Sequence, residues 1–157
     1  IPWAILKGLE KTGVTMFKLD EGVDTGDIIG QEVIYLDEDI TATELYKKVN
    51  DMHITLISKH WNNIINNNIA LTKQNEEEAT VWIGRKPEDG EIFNYMTMDE
   101  ADKLVRAVTH PYPGAYYRDN VEGRIIRIWS AKVCKNQGMI KLKDGYLIPI
   151  DYEIEGY

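Results

Sequence analysis

The stretch Thr12-Gly13-Val14-Thr15-Met16-Phe17-Lys18-Leu19-Asp20-Glu21-Gly22-Val23-Asp24-Thr25-Gly26-Asp27-Ile28-Ile29 decides how the chain is read. Val14, Met16 and Leu19 flank a short strand, and a second strand follows from Ile28 to about Leu36. Between them, eight positions hold three aspartates, one glutamate and two glycines. Such a loop can present a carboxylate at a sheet edge, with glycines permitting turns of positive φ and close approach of the backbone to a ligand. A polar hairpin loop accounts for the same composition, because Asp and Gly are what turns use. A calcium loop does not. Counted from Asp20, Gly22 takes the third position, Thr25 stands where the invariant glycine belongs and Gln31 where the bidentate glutamate belongs.

Upstream, Ile1-Pro2-Trp3-Ala4-Ile5-Leu6-Lys7-Gly8 reads as a helix already starting, with Pro2 suited to its first position. The first residue is not Met, so the chain is expected to begin inside a domain. Downstream, Thr41 and Glu44 have the spacing of a capping box. Leu45, Val49, Met52, Leu56, His60 and Ile64 then recur at helical spacing, predicting a long amphipathic helix that stops near Asn66-Asn67-Asn68. Residues 71–91 turn polar and read as a linker with one strand at Ala79–Trp82. Thr97 and Glu100 form a second capping box, opening a helix through Leu104, Val105 and Val108 that must end at His110-Pro111, since a residue before proline is pushed out of the α region. Short β-rich runs follow (Ala115–Arg118, Arg124–Trp129, Met139–Leu142, Tyr146–Ile150), suggesting a small barrel or curled sheet.

The chain has 157 residues, 43% of them hydrophobic, enough for one ordinary domain or two small ones with a real core. No run of eighteen apolar residues and no signal-peptide pattern occurs, so a soluble, cytoplasmic protein is expected, with no membrane partner. Cys134 is the single cysteine and has no CxxC neighbour, which gives redox or zinc chemistry little support, and no metal is expected. Residues 1–84 hold 7 Lys/Arg against 14 Asp/Glu, while residues 85–157 hold 11 against 12. Neither balance is a basic nucleic-acid footprint.

The quoted stretch closely resembles the segment T-G-V-T-x-x-x-x-D-x-G-x-D-T-G-D-I-I of the 10-formyltetrahydrofolate-dependent formyltransferases. Glu78–Asp89, Leu104–Ala115 and Ile128–Ala131 resemble the linker and C-terminal domain of the same family, so the resemblance covers nearly the whole chain. It implies an α/β plus β fold: residues 1–72 as the C-terminal part of a Rossmann-like catalytic domain, 73–94 as a linker, and 95–157 as a small OB-like β-barrel domain. It also implies 10-formyltetrahydrofolate as cosubstrate.

In that family an Asn-x-His pair and an Asp carry catalysis, and by resemblance the Asp is Asp24. The backbone of Asp20, Glu21, Gly22 and Val23 is, by the same resemblance, where the pteridine edge docks. Asp20 and Glu21 also read as exposed turn residues, and Asp27 as a residue that fixes the loop. A formyl carbon attacked by a neutral amine gives a tetrahedral intermediate whose oxyanion needs donors and whose ammonium must lose a proton. The missing Asn and His would hold the oxyanion, and Asp24 would orient and charge that His or relay the amine's proton. His53 and His60 fall on the long helix and His110 precedes a proline, so each reads as a structural or surface residue. Arg85 and Lys86 suit a diphosphate, and Tyr112 a base, although a solvated pair and a packing aromatic read equally from these residues.

The sequence pattern is closest to the enzymes that formylate nucleotide-linked amino sugars, and the charge balance of residues 85–157 favours that acceptor over nucleic acid. The expected partner is therefore a nucleotide-linked amino sugar and no nucleic acid. Methionyl-tRNA formyltransferase is the alternative, and a non-catalytic C-terminal binding module the third reading. A homodimer is compatible with the sequence. With no Asn-x-His anywhere in these 157 residues, the chain alone is expected to turn over no 10-formyltetrahydrofolate with an acceptor amine, which a steady-state formylation assay measures directly.

Overall fold

Thr97 and Glu100 close the capping box their spacing predicts. Thr97 Oγ1 accepts from the Glu100 backbone N–H at 3.2 Å, and the Glu100 carboxylate accepts from the Thr97 backbone N–H at 2.8 Å. These bonds hold the Glu100 carboxyl below its ordinary pKa. The helix they start, α3 (Met98–Val108), buries Ala101, Leu104, Val105, Ala107 and Val108 and leaves its acidic first turn outward. It ends before the cis His110–Pro111 bond. In the computed structural model, which describes residues 1–156, α3 belongs to a compact unit made of Ile1–Leu9, Glu38–Glu44 and Ile83 onward.

Opposite α3 in this unit lies a four-stranded antiparallel sheet of β3 (Ala115–Asp119), β4 (Arg124–Cys134), β5 (Ile140–Lys141) and β6 (Tyr146–Gly156), in the order β3-β4-β6-β5. Ala115 faces Ile128, Ile126 faces Ile154 and Ile140 faces Leu147. Two register shifts around Ser130 curl the β4–β6 ribbon. Ile126, Ile128, Ile140, Leu142 and Leu147 are buried, as are Ala4 and Ile5 of the short helix α1 (Pro2–Leu6), which opens on Pro2 as expected. Arg127 grips Glu155 across the ribbon with two bonds, Nε–Oε1 at 2.6 Å and Nη2–Oε2 at 3.2 Å, which raises the arginine pKa and lowers that of the glutamate. Of the two forms expected, a small barrel or a curled sheet, the described residues form the curled sheet, with β3 and β5 as its edges.

The second unit comprises Glu10–Asp37 and Leu45–Trp82. Here β1 (Lys11–Phe17) pairs antiparallel with β2 (Ile28–Tyr35), Thr12 facing Ile34 and Val14 facing Glu32. Helix α2 (Ala42–Ile65) stops just before Asn66, as the asparagine run predicts. Its predicted stripe is the one it turns inward: Leu45 and Leu56 are buried, and Val49, Met52, His60 and Ile64 are half-buried. The strand expected at Ala79–Trp82 does not form. Val81 is 95% exposed, and an isolated apolar run without a partner strand has no ladder to join. Strands β4 and β6 run longer than their apolar runs, because each supplies the other's hydrogen bonds. Arg106 pairs with Asp102 in its own helix at 2.7 Å and donates to the Ile40 carbonyl at 2.9 Å, so it needs no acid from elsewhere.

Replacing Thr97 by Ala removes one side of the capping box. It is expected to lower stability by about 1 kcal/mol, seen as a fall in the urea midpoint at unchanged slope.

Candidate functional site

The acidic loop is built from within by its first aspartate. Asp20 Oδ1 accepts from the Gly22 backbone N–H at 3.0 Å and from Thr25 Oγ1 at 2.7 Å, folding residues 20–25 into a closed turn. The strand ends are then joined by the Lys18 N–H donating to the Asp27 carbonyl at 2.9 Å. Asp27 thus fixes the loop through its backbone, and the carboxylate that does so is that of Asp20. A Cβ at Gly26 would collide with the Lys18 carbonyl, so only glycine lets the two strands meet here. Gln74 holds the far side: its Nε2 donates to the carbonyls of Asp24 at 2.8 Å and Gly26 at 2.6 Å.

Asp24 sits at φ +57°, in the left-handed region that aspartate tolerates better than most residues. It is exposed, as are Glu21, Gly22 and Val23, the last at 88%. The loop therefore exposes residues 21–24, with the carboxylates of Glu21 and Asp24 among them, in a conformation held by Asp20 and Gln74. Nothing in the polar run around Gln74 marks it as a clamp. Its role exists only once residues 24–26 and 74 are brought together, fifty positions apart.

Arg85, Lys86 and Tyr112 stand in the other unit, and there they share one site. Together with Pro2, Pro87 and Pro113 they line a cavity of about 190 Å³. The approach of residues 85–87 to 112–114 depends on two close passages, Gly90 against Gly114 and Gly114 (φ +87°) against the Trp129 indole. Arg85 is fixed by Nη2 donating to the Asp89 carbonyl at 2.6 Å, and Lys86 by its backbone N–H donating to Asp89 Oδ2 at 2.7 Å. Arg85 also lies 5.3 Å from the centre of the Trp3 ring, whose Nε1 donates to the Ile83 carbonyl at 2.8 Å. Trp3 is a participant that sequence reasoning missed, since an aromatic in an apolar opening helix carries no signal of its own.

The three histidines take structural places. His60 lies against Gly30, His110 stacks on Trp129 at 5.3 Å between ring centres, and His53 lines an apolar groove beside β1. Cys134 is held below its ordinary pKa by the backbone N–H groups of Asn136 and Gln137, with burial opposing. Burial pushes the Tyr116 hydroxyl above its ordinary value. Among the described residues no group of three or more His, Cys, Asp or Glu is placed to hold a metal ion, and no helix is long and apolar enough to cross a membrane.

Charge in the sheet-bearing unit is sorted by position. Arg118, Arg124 and Arg127 are tied to Glu91, Asp119 and Glu155. The exposed lysines are elsewhere: Lys132, Lys135, Lys141 and Lys143 gather where β4, β5 and β6 meet. Asp144 is the one acid between Ala131 and Pro149, and its carboxylate accepts from the Met98 N–H at 2.8 Å.

Comparison with known proteins places both ends of the chain in one family. The formyl transferase model matches residues 1–60, and the model of the formyl transferase C-terminal domain matches residues 85–152. A methionyl-tRNA formyltransferase of Lachnospira eligens is 30% identical over 92% of this chain and 45% of its own length. The structure of methionyl-tRNA formyltransferase from Clostridium thermocellum superposes with a TM-score of 0.70 at 26% identity, covering 99% of this chain and 61% of that one. A 4-N formyltransferase from Francisella tularensis gives 0.66 at 32% identity over 76% of this chain and 50% of that one. The chain spans less than half the length of the curated relatives it matches.

These relatives overturn the expected acceptor. Four curated relatives, at 30–37% identity, are methionyl-tRNA formyltransferases, so neither the nucleotide-linked amino sugar nor the exclusion of nucleic acid stands. The charge argument failed for a physical reason. A near-neutral sum over residues 85–157 mixes arginines held in ion pairs with lysines collected at one end of a sheet, so a net charge says nothing of how the basic groups are placed.

The loop geometry sets a test of its own. Asp20→Ala is expected to raise amide exchange at Gly22 about tenfold, the loss of roughly one net hydrogen bond. Asp24→Asn, which keeps a side chain suited to φ +57° and makes no bond to Gly22, should leave that rate unchanged in the same hydrogen-exchange measurement.

Proposed function

Because this chain belongs to the formyltransferase family, we propose that it serves formyl transfer from 10-formyltetrahydrofolate to methionyl-tRNA. The observation that carries this reading is the identity of the four curated relatives, matched over 84–92% of this chain. The lysines at the β4–β5–β6 end support it, since they are what phosphate contacts require.

Within this reading the Asp20–Val23 backbone offers its N–H and C=O groups to the pteridine edge, held in shape by the Asp20 carboxylate and Gln74. Asp24 provides the carboxylate of the reaction. As the aminoacyl amine attacks the formyl carbon, negative charge collects on the formyl oxygen and positive charge on nitrogen. A carboxylate at that point accepts the ammonium proton or orients and charges the group that does; collapse of the intermediate then breaks the bond from the formyl carbon to the folate nitrogen, which takes up a proton and leaves as tetrahydrofolate. Arg85 and Lys86 take phosphate oxygens, and Tyr112 stacks on a base of the acceptor. In the whole enzyme, Asp24→Asn is expected to lower the formylation rate by about 10²-fold or more, because positioned acid–base groups contribute about 10²–10⁴-fold.

Titration with charged initiator tRNA at several salt concentrations tests the acceptor. Each phosphate contact contributes about 0.7–0.9 to the fall of log K with log salt. A slope of about 3 is expected for the chain, and the Lys132→Ala/Lys135→Ala pair should reduce it by about 1.5. No binding, or a slope near zero, refutes a tRNA acceptor.

A further inference from the structure

A second, larger depression in the sheet-bearing unit adjoins the Tyr112 cavity, with Arg85 on the wall of both. It has a volume of about 490 Å³, and its lining includes Trp3, Lys7, Tyr95, Lys103 and Lys143. That size is within the range of sites that hold a small organic ligand, roughly 300–1,000 Å³. Its chemistry is uneven in a useful way. The three acids on its wall are occupied: Glu100 in the Thr97 cap, Asp99 with Lys103 at 2.8 Å, and Asp89 on the Lys86 N–H. Lys7 and Lys143 supply further positive charge on the same wall.

Tyr95 is a prepared stacking surface. Its ring lies parallel to Phe93, 5.1 Å between centres and 6° between planes, yet Tyr95 remains 71% exposed. An aromatic left this open is normally a cost in water, and its position is nonetheless enforced. Asn94 Nδ2 donates to the Lys141 carbonyl at 2.8 Å, the Met96 N–H to the Phe93 carbonyl at 3.0 Å, and the Lys143 N–H to the Met96 carbonyl at 2.9 Å. These bonds tie the segment that carries Tyr95 to the segment that carries Lys143, and both residues line the groove. A stacking ring next to ammonium groups in an open groove is the arrangement that holds an unpaired base and its phosphate.

We propose that this groove binds an unpaired nucleotide of a single-stranded RNA segment, the base stacking on Tyr95 and the phosphate received by Lys143 and Lys7. The proposal rests on the reading that the acceptor is an RNA, and it adds Tyr95, Lys143 and Lys7, none of which belongs to the loop or cavity already assigned. Stacking on one aromatic tolerates any base, so the groove would grip a strand without reading its sequence.

The test is fluorescence anisotropy of the purified 157-residue chain with a short labelled oligoadenylate, with a blunt RNA duplex and free AMP as comparison ligands. Tyr95→Ala is expected to weaken oligoadenylate binding about tenfold and Tyr95→Phe by less than about twofold, because the ring and not the hydroxyl stacks. Lys143→Ala should lower the salt slope by about 0.7. Thermal melting of Tyr95→Ala at the wild-type temperature shows that the exposed ring is not a folding element. Equal oligoadenylate binding by wild type and Tyr95→Ala overturns the proposal. So does equal affinity for the duplex, or for AMP. Because the probe is not tRNA, the two readings separate. Tyr95-dependent oligoadenylate binding without tRNA binding supports the groove and refutes the tRNA acceptor, while tRNA binding with Tyr95-independent oligoadenylate binding refutes the groove alone.

Discussion

The apolar face of α3 is the constraint on which the sheet-bearing unit depends. Ala101, Leu104, Val105 and Val108 cannot be left in water without losing roughly 1.5–3 kcal/mol for each large side chain, and the curled β4–β6 ribbon is what covers them. Once that face is committed inward, the remaining sides of α3 are assigned. Asp99, Glu100 and Lys103 become one wall of the large groove, and the helix terminus brings Val108 to the cavity that Arg85, Lys86 and Tyr112 line. Both depressions in this unit are thus consequences of where one helix buries its stripe.

Electrostatics follows the same division between pairs that hold the fold and charges left for a ligand. The arginines of the sheet are used structurally. Arg127 makes a two-bond fork with Glu155, Arg124 bridges Asp119, and Arg118 meets Glu91 while lying over the Tyr116 ring. A guanidinium suits this work because its planar donors match a carboxylate. Lysines are distributed to the rim, where a flexible, strongly hydrated ammonium costs little and serves phosphate as a point charge. A net charge that sums both kinds hides the distinction.

In the other unit, the loop after β1 shows how an exposed segment is kept in one conformation without a core of its own. Asp20 spends its carboxylate on the turn, Gln74 spends its amide on two carbonyls, and Gly26 gives up a side chain so that the Lys18 carbonyl can pass. Asp24 is the residue these devices leave unspent. Its backbone is left-handed and its side chain exposed.

Much of the architecture was legible along the chain because its causes are local. Capping boxes at Thr41 and Thr97, proline at position 2, the asparagine run after Ile65 and the stripe of α2 act over one to four residues, and each element starts or stops where these signals place it. The acidic loop was legible as well, through its composition and its resemblance to a family segment. What failed depended on partners distant in sequence. The Ala79–Trp82 run has strand composition but no neighbouring ladder, and β4 and β6 gain length from each other. The same holds for the sites. Sequence alone determined that Asp20–Asp27 is a chemically dense turn and that Arg85, Lys86 and Tyr112 deserve notice. Only the tertiary structure decided that those three line one cavity, that Gln74 clamps the loop, and that Tyr95 and Lys143 line one groove. A side chain's neighbours are set by which apolar faces must be buried together, and that is a property of the packed chain rather than of any stretch of it.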